Sequence, residues 1–238
     1  MSIGALMGAA LLLLIIQLSV RGKTYGTNRT GDVLPAQPYQ DLVELAIRRG
    51  WSASARWTER LGHAQTILEP RDGTHWRYTL ERWNSVLGDA VYGHSPRDSE
   101  WLDTSLKFPD GTVIIGPRES PEAIAFITGM LGFLQSDKGR GLANGLHKLS
   151  AGMKHLPNPA GSDMPFTLLS NLSAAPALPY DIVARNLRMW TARRPDKEEH
   201  PVITYQPGGL SVRLIRSTLD PVLTEELIDF ANALRRDL

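Results

Sequence analysis

The sequence predicts an α+β protein: an N-terminal transmembrane helix, then one soluble domain of antiparallel hairpins and packed helices. Three observations predict it. Residues Met1 to Val20 are uncharged and almost wholly apolar. Turns containing Pro and Gly repeatedly separate short β-type runs. Helices with Pro in the first position follow those runs, giving a hairpin-then-helix order rather than alternating βαβ units.

Ser2, Gln17 and Ser19 are the only polar residues of the first segment. At about 1.5 Å per residue a helix of that length spans roughly 30 Å, the hydrocarbon core of a bilayer. A cleaved secretory leader needs a basic start, a shorter apolar core and a small-residue cleavage site. No Lys or Arg precedes this run, and the exit Gln17-Leu18-Ser19-Val20-Arg21-Gly22-Lys23 reads as a stop signal. The expected anchor is therefore uncleaved and single-pass. Its flanking side-chain cations, Arg21, Lys23 and Arg29, all follow it. Cationic flanks stay on the cytoplasmic side, which places the C-terminal domain in the cytoplasm. Gly4 and Gly8, flanked by Ala5 and Ala9, set four small residues on one helix face. Such a face admits a second helix at close range. Small residues are also common in anchors that pack against nothing.

From Arg21 to Pro38 the chain turns to Gly, Thr, Asn, Arg and Pro, the composition of a tether. The soluble domain, 39–238, opens with a helix over Tyr39–Arg49, apolar at Leu42, Val43, Ala46 and Ile47 and stopped by Gly50. Gln65–Glu69 and Thr74–Arg82 flank Pro70-Arg71-Asp72-Gly73 as a hairpin. Within it Trp76, Tyr78 and Leu80 alternate with Arg77, Thr79 and Glu81, as a strand with one covered face should. A second hairpin is expected from Ser105–Phe108, the turn 109–111 and Thr112–Ile115. The helix after it starts with Ser120 as N-cap, Pro121 and Glu122. Its body, Ala123–Leu134, is apolar on nearly every side, which implies full burial or an interface.

Further along, Asp181–Ala192 reads as a helix with Val183, Leu187 and Trp190 toward the core. Val202–Tyr205, the turn Pro207-Gly208-Gly209 and Leu210–Ile215 form the last hairpin. The closing helix runs from N-cap Asp220 and Pro221, with Leu223, Leu227, Phe230, Leu234 and Leu238 on one stripe. Hairpin and Pro-started helix occur twice, ending near Gln135 and Leu238: either a degenerate duplicated β-β-α unit or chance.

The uncharged start, a helix ending in Arg49-Gly50-Trp51, and Gly209-Leu210-Ser211-Val212-Arg213 before a terminal helix resemble an uncharacterised family of membrane-anchored bacterial proteins, a domain of unknown function. The resemblance covers about a quarter of the chain and implies no activity, cofactor or site residue.

Composition narrows the function classes. Hydrophobic residues make up 42%, enough for a packed core, and a net charge of +1 gives no global field for nucleic acid. With no cysteine, a disulfide frame, a thiolate metal site and a thiol nucleophile are excluded. Gly139-Arg140-Gly141-Leu142-Ala143-Asn144-Gly145 looks like a dinucleotide loop, but that mechanism needs a strand before it and a helix is expected there. His63, His75, His94, His147, His155 and His200 show no ligand spacing, and no Ser lies in a G-x-S-x-G elbow. Arg185, Arg188, Arg193 and Arg194 read as the solvated face of their helix, not a nucleic-acid surface. No catalytic residue, metal ligand or cofactor is assigned.

One stretch carries a stronger pattern. Leu142, Leu146, Leu149, Met153 and Leu156 recur at helical spacing, with Lys138, Arg140, Lys148 and Lys154 supplying positive charge and no acid between them. A basic amphipathic helix of this kind lies either on an anionic inner leaflet or with its stripe in the core. The expected function is a membrane-anchored, non-catalytic interaction domain, an accessory or assembly subunit of a membrane complex. It would hold the bilayer through residues 1–20 and bind a membrane-protein partner or a second copy of itself. Two alternatives stand beside it: an enzyme whose site is scattered in sequence, and an anionic-lipid binder through 138–156.

Overall fold

The alternation of Trp76, Tyr78 and Leu80 sets the logic of the whole sheet. The computed structural model describes residues 36–58, 63–83, 97–108, 111–135, 152–159, 161, 163–195, 199–214 and 220–237. In it these three side chains share one covered face, none more than 4% exposed, while Arg77 stands in solvent. Their strand belongs to the series α1 (Ala36–Arg48), β1 (Trp51–Thr58), β2 (His63–Pro70), β3 (Trp76–Trp83), β4 (Arg97–Asp103), β5 (Val113–Pro117) and α2 (Pro121–Gln135). Then follow β6 (Lys154–His155), β7 (Phe166–Ser170), α3 (Tyr180–Arg193), β8 (Pro201–Gln206), β9 (Gly209–Leu214) and α4 (Pro221–Arg236). The class is α+β, as expected.

All nine strands join one sheet in the order β1-β2-β3-β4-β9-β8-β5-β7-β6, and every neighbouring pair is antiparallel. The β2–β3 and β8–β9 hairpins form where the turn residues place them. The C-terminal hairpin lies between β4 and β5, whereas the first expected hairpin-and-helix segment lacks its hairpin, because β5 pairs with β7 and β8. In that register Tyr78 stands opposite Trp101, Trp101 opposite Val212, Val212 opposite Ile203, and Ile203 opposite Ile115. All five are buried on a single face.

Helices α1, α4 and α3 cover that face. Leu42, Leu45 and Ala46 come from α1, Val183, Leu187 and Trp190 from α3, and Leu223, Leu227, Phe230 and Leu234 from α4; all join one core. Trp51, Trp76 and Trp101 run beneath them, edge to face at 5.3 Å and then stacked at 6.4 Å. Each large side chain so buried stabilises the fold by about 1.5–3 kcal/mol. Ion pairs lace the helices together at the rim: Arg48 and Arg49 to Glu225, Arg49 to Asp229, and Arg194 to Glu226. The caps work as expected. Ser120 Oγ accepts from the Ala123 amide at 3.2 Å, and Asp220 Oδ1 from the Val222 amide at 2.9 Å.

Several expectations are corrected. Helix α1 begins at Ala36, inside the expected tether, and Ile47, one of its apolar positions, is 71% exposed. Ser105–Phe108 is not a strand. Asp103 Oδ1 accepts from the Ser105 amide at 2.8 Å and its hydroxyl at 2.6 Å, an Asx turn that takes the chain out of the sheet. Strand β5 then pairs with β7 and β8 instead of with a preceding neighbour. In α2, Ala123 and Ile127 are buried but Ala125, Thr128 and Gly129 are exposed, so its described half is one-sided.

The basic helix expected through residue 156 is not helical at its end. Lys154 and His155 form β6, and Met153 and Leu156, each 4% exposed, are packed inside the protein. Among the described residues no helix is long and apolar enough to cross a membrane. The anchor expected at 1–20, with Gly4, Ala5, Gly8 and Ala9, lies outside the described residues, as do Lys138, Arg140 and Lys148.

Candidate functional site

The two ends of the sheet differ sharply. At one end β6 is two residues long; at the other β1 runs for eight. Its pairing to β2 is continuous from Trp51 opposite Pro70 to Thr58 opposite His63, without a bulge. Among the described residues nothing pairs with its outer side. Natural edges are blunted by shortness, Lys, Pro or a bulge. The sequence Trp51-Ser52-Ala53-Ser54-Ala55-Arg56-Trp57-Thr58 has none of these, and Arg56 is its one charge.

Why β1 forms is local. Gly50, at φ +69°, lets the chain reverse directly from α1 into the strand. Trp51 then enters the core edge-on to Trp76, and the Arg49 guanidinium sits 5.1 Å from its ring centre. Ala53 packs against the core from the same face, while Ser54 on the opposite face is exposed.

The helix above adds an apolar flank to that edge. Arg48 on α1 reaches Glu225 of α4 at 2.7 Å, which fixes the side of α1 that faces its helix neighbour. At about 100° per residue, Val43 and Ile47 fall on the other side. Because α1 packs over β1 and has α4 on its inward side, that other side is turned toward the outer edge of the sheet. Val43 is half-buried and Ile47 is the most exposed large apolar residue described. A free ladder of eight residues and an apolar shoulder therefore lie together.

Other polar groups are spent on structure. Arg235 Nε donates to Asp103 Oδ2 at 2.7 Å, tying α4 to the end of β4. Burial pushes the Asp103 carboxyl up, but the Ser105 and Arg235 donors outweigh it and hold it below 3.8. On the second face of the sheet Arg213 Nε donates to Glu100 Oε1 at 2.9 Å, and Nη2 binds the same oxygen. Its Nη1, like the Ser211 hydroxyl on the same face of β9, is buried without a partner among the described residues. Burial pushes the Tyr180 phenol up to about 12 and Tyr205 higher still, so neither is a nucleophile at neutral pH.

The described residues hold no cluster of His, Asp and Glu able to bind a metal. A groove between α3 and α4, lined by Met189, Arg193, Asp229 and Ala233 among others, holds about 190 Å³. Small-molecule sites occupy roughly 300–1,000 Å³. Of the arginine cluster, Arg185, Arg188 and Arg193 are exposed, Arg185 paired with Asp237, whereas Arg194 is part-buried between Glu199 and Glu226 rather than on a solvated face. Lys154 is exposed on β6, its Nζ donating to the Ser173 carbonyl at 3.3 Å. His155 lies beside it, its pKa lowered from 6.5 by burial.

No family model matches the chain, and neither the curated proteins nor the solved structures compared with it give a match. The β1 edge went unread in the sequence. Its one signal was the small-residue alternation with no Pro or Lys.

Proposed function

We propose that this protein is a membrane-anchored, non-catalytic interaction domain, an accessory or assembly subunit of a membrane complex, which engages its partner by strand addition at β1. The observation that carries this is the eight-residue, unbulged outer strand with Val43 and Ile47 beside it. An extended segment laid along such an edge gains main-chain hydrogen bonds, and the adjacent apolar shoulder gives side chains something to bury against. The uncharged run Met1–Val20 supports the membrane attachment, and Arg21, Lys23 and Arg29 support a cytoplasmic domain.

Capture in mild detergent from cells that also carry a second, differently tagged copy of the chain, read by that second tag and by mass spectrometry, tests the reading. Ser54→Lys puts a charge on the exposed face of the edge, and Ile47→Glu puts one on the shoulder. Both should reduce co-purification of the partner while the circular dichroism spectrum stays unchanged. Recovery of the same partners in the same amounts would sink the assignment of β1.

A further inference from the structure

We infer that the occupant of the β1 edge is a second copy of this chain, paired antiparallel about a two-fold axis at Ser54. This rests on the reading of β1 as a docking edge and names what docks there. The inequality of the two sheet edges is the first argument. Head-to-tail addition would lay β1 on the partner's β6, which offers two residues and leaves an open end on every assembly. Pairing β1 with β1 uses the strand from Trp51 to Trp57 and closes.

The second argument is register. A two-fold axis between antiparallel strands stands perpendicular to the sheet, so residues directly opposite share a face and one residue lies opposite its own copy. With Ser54 in that place, Ala53 lies opposite Ala55, Ser52 opposite Arg56, and Trp51 opposite Trp57. The only charge on the strand meets a serine and never itself. Small residues fill the centre, where the two backbones approach.

The third argument is the helix above. The same axis brings the outer flank of α1 against that of its copy, and Ile47, 71% exposed in one copy, gains an apolar neighbour. The expected anchor adds mass action. Domains held to one bilayer meet at high effective concentration.

The chain has no cysteine, so a single introduced thiol reports one contact. Ser54→Cys in the full chain, kept in its membrane, should oxidise to a covalent dimer. Residues directly opposite have Cβ atoms about 4.5–5.5 Å apart, within small adjustment of disulfide geometry. Lys107→Cys, an exposed position after β4, is the control for random collision. Cross-linking at position 54 should be at least about tenfold faster than at 107, since paired thiols are held at high effective concentration. Ile47→Glu added to Ser54→Cys should abolish that difference. Equal rates at 54 and 107, with partner capture still lost in Ser54→Lys, would overturn self-pairing while leaving β1 as a docking edge for another protein. Equal rates with partner capture unchanged would overturn both.

Discussion

Gly209 stands where the Asp103 carbonyl group leaves no room for a side chain. A Cβ there would overlap the carbonyl oxygen and lie 3.0 Å from its carbon, and the backbone φ of +132° is one that side chains disfavour. This is the point where β9 meets β4 and the two halves of the sheet join. Gly209→Ala should therefore destabilise the fold by about 2–3 kcal/mol. Thermal unfolding of the full chain in mild detergent should show a Tm lower by roughly 5–10 °C. Gly73, also at positive φ but with open space around it, is the control, and Gly73→Ala should cost less.

Asp103 also sets a pH dependence. Its carboxyl is fully buried, yet held below 3.8 because Ser105 and Arg235 outweigh the penalty of burial. A lowered folded pKa means the unfolded chain takes up the proton first. The stabilisation is complete above pH 3.8 and is lost as pH falls through the folded value. Asp103→Asn should be less stable at neutral pH and should lose less on acidification below pH 4. Parallel acid-unfolding curves for the two proteins would refute this.

The Tyr205 hydroxyl is buried without a partner among the described residues, while its ring lies edge-on to Phe108 at 4.7 Å. A buried unpaired hydroxyl costs about 1–3 kcal/mol, so its removal should not weaken the fold. Tyr205→Phe is expected to match or exceed the parent in urea unfolding. A clear loss of stability would reveal a partner for that hydroxyl.

Arg213 and Glu100 make a buried pair on the other face, 5% and 13% exposed at their side chains. Truncating Arg213 breaks its buried pairing with Glu100, so Arg213→Ala should cost about 3–5 kcal/mol. Replacing both with Met keeps volume and removes both charges, and should be less destructive than Arg213→Ala alone. A double variant as unstable as the sum of its two single variants would show that the residues act independently.

Two of the three expected hairpins, and the caps, were legible because their causes are local. Pro70–Gly73 and Pro207–Gly209 form turns, and Ser120 and Asp220 cap helices, within a few residues of the signal. Four strands, β1, β4, β6 and β7, were not legible. In β7 every residue is buried, so no alternation marks it. Strand β4 reads Arg97-Asp98-Ser99-Glu100-Trp101-Leu102-Asp103, poor in β-type residues and held by its neighbours on both sides. Strand β1 alternates serine with alanine, a contrast too small for a hydrophobic period to register. The apolar spacing of Leu142 to Leu156 suggested one helix, but burial of Met153 and Leu156 is achieved through a strand. Ile47 fitted the apolar spacing of α1, and its exposure follows from where α4 docks, which no local pattern encodes.

The insertion of β8 and β9 between β4 and β5 has a consequence for synthesis. Strands β1–β4 emerge from the ribosome first, and β5–β7 follow, yet among the described residues no strand pairing joins them until residues 201–214 appear. Until then β4 and β5 each present an open ladder, the state in which strands find the wrong neighbour. The nascent chain must wait for its closing hairpin, and ribosome stalling after β7 but before residue 201 leaves two half-sheets open to mispairing.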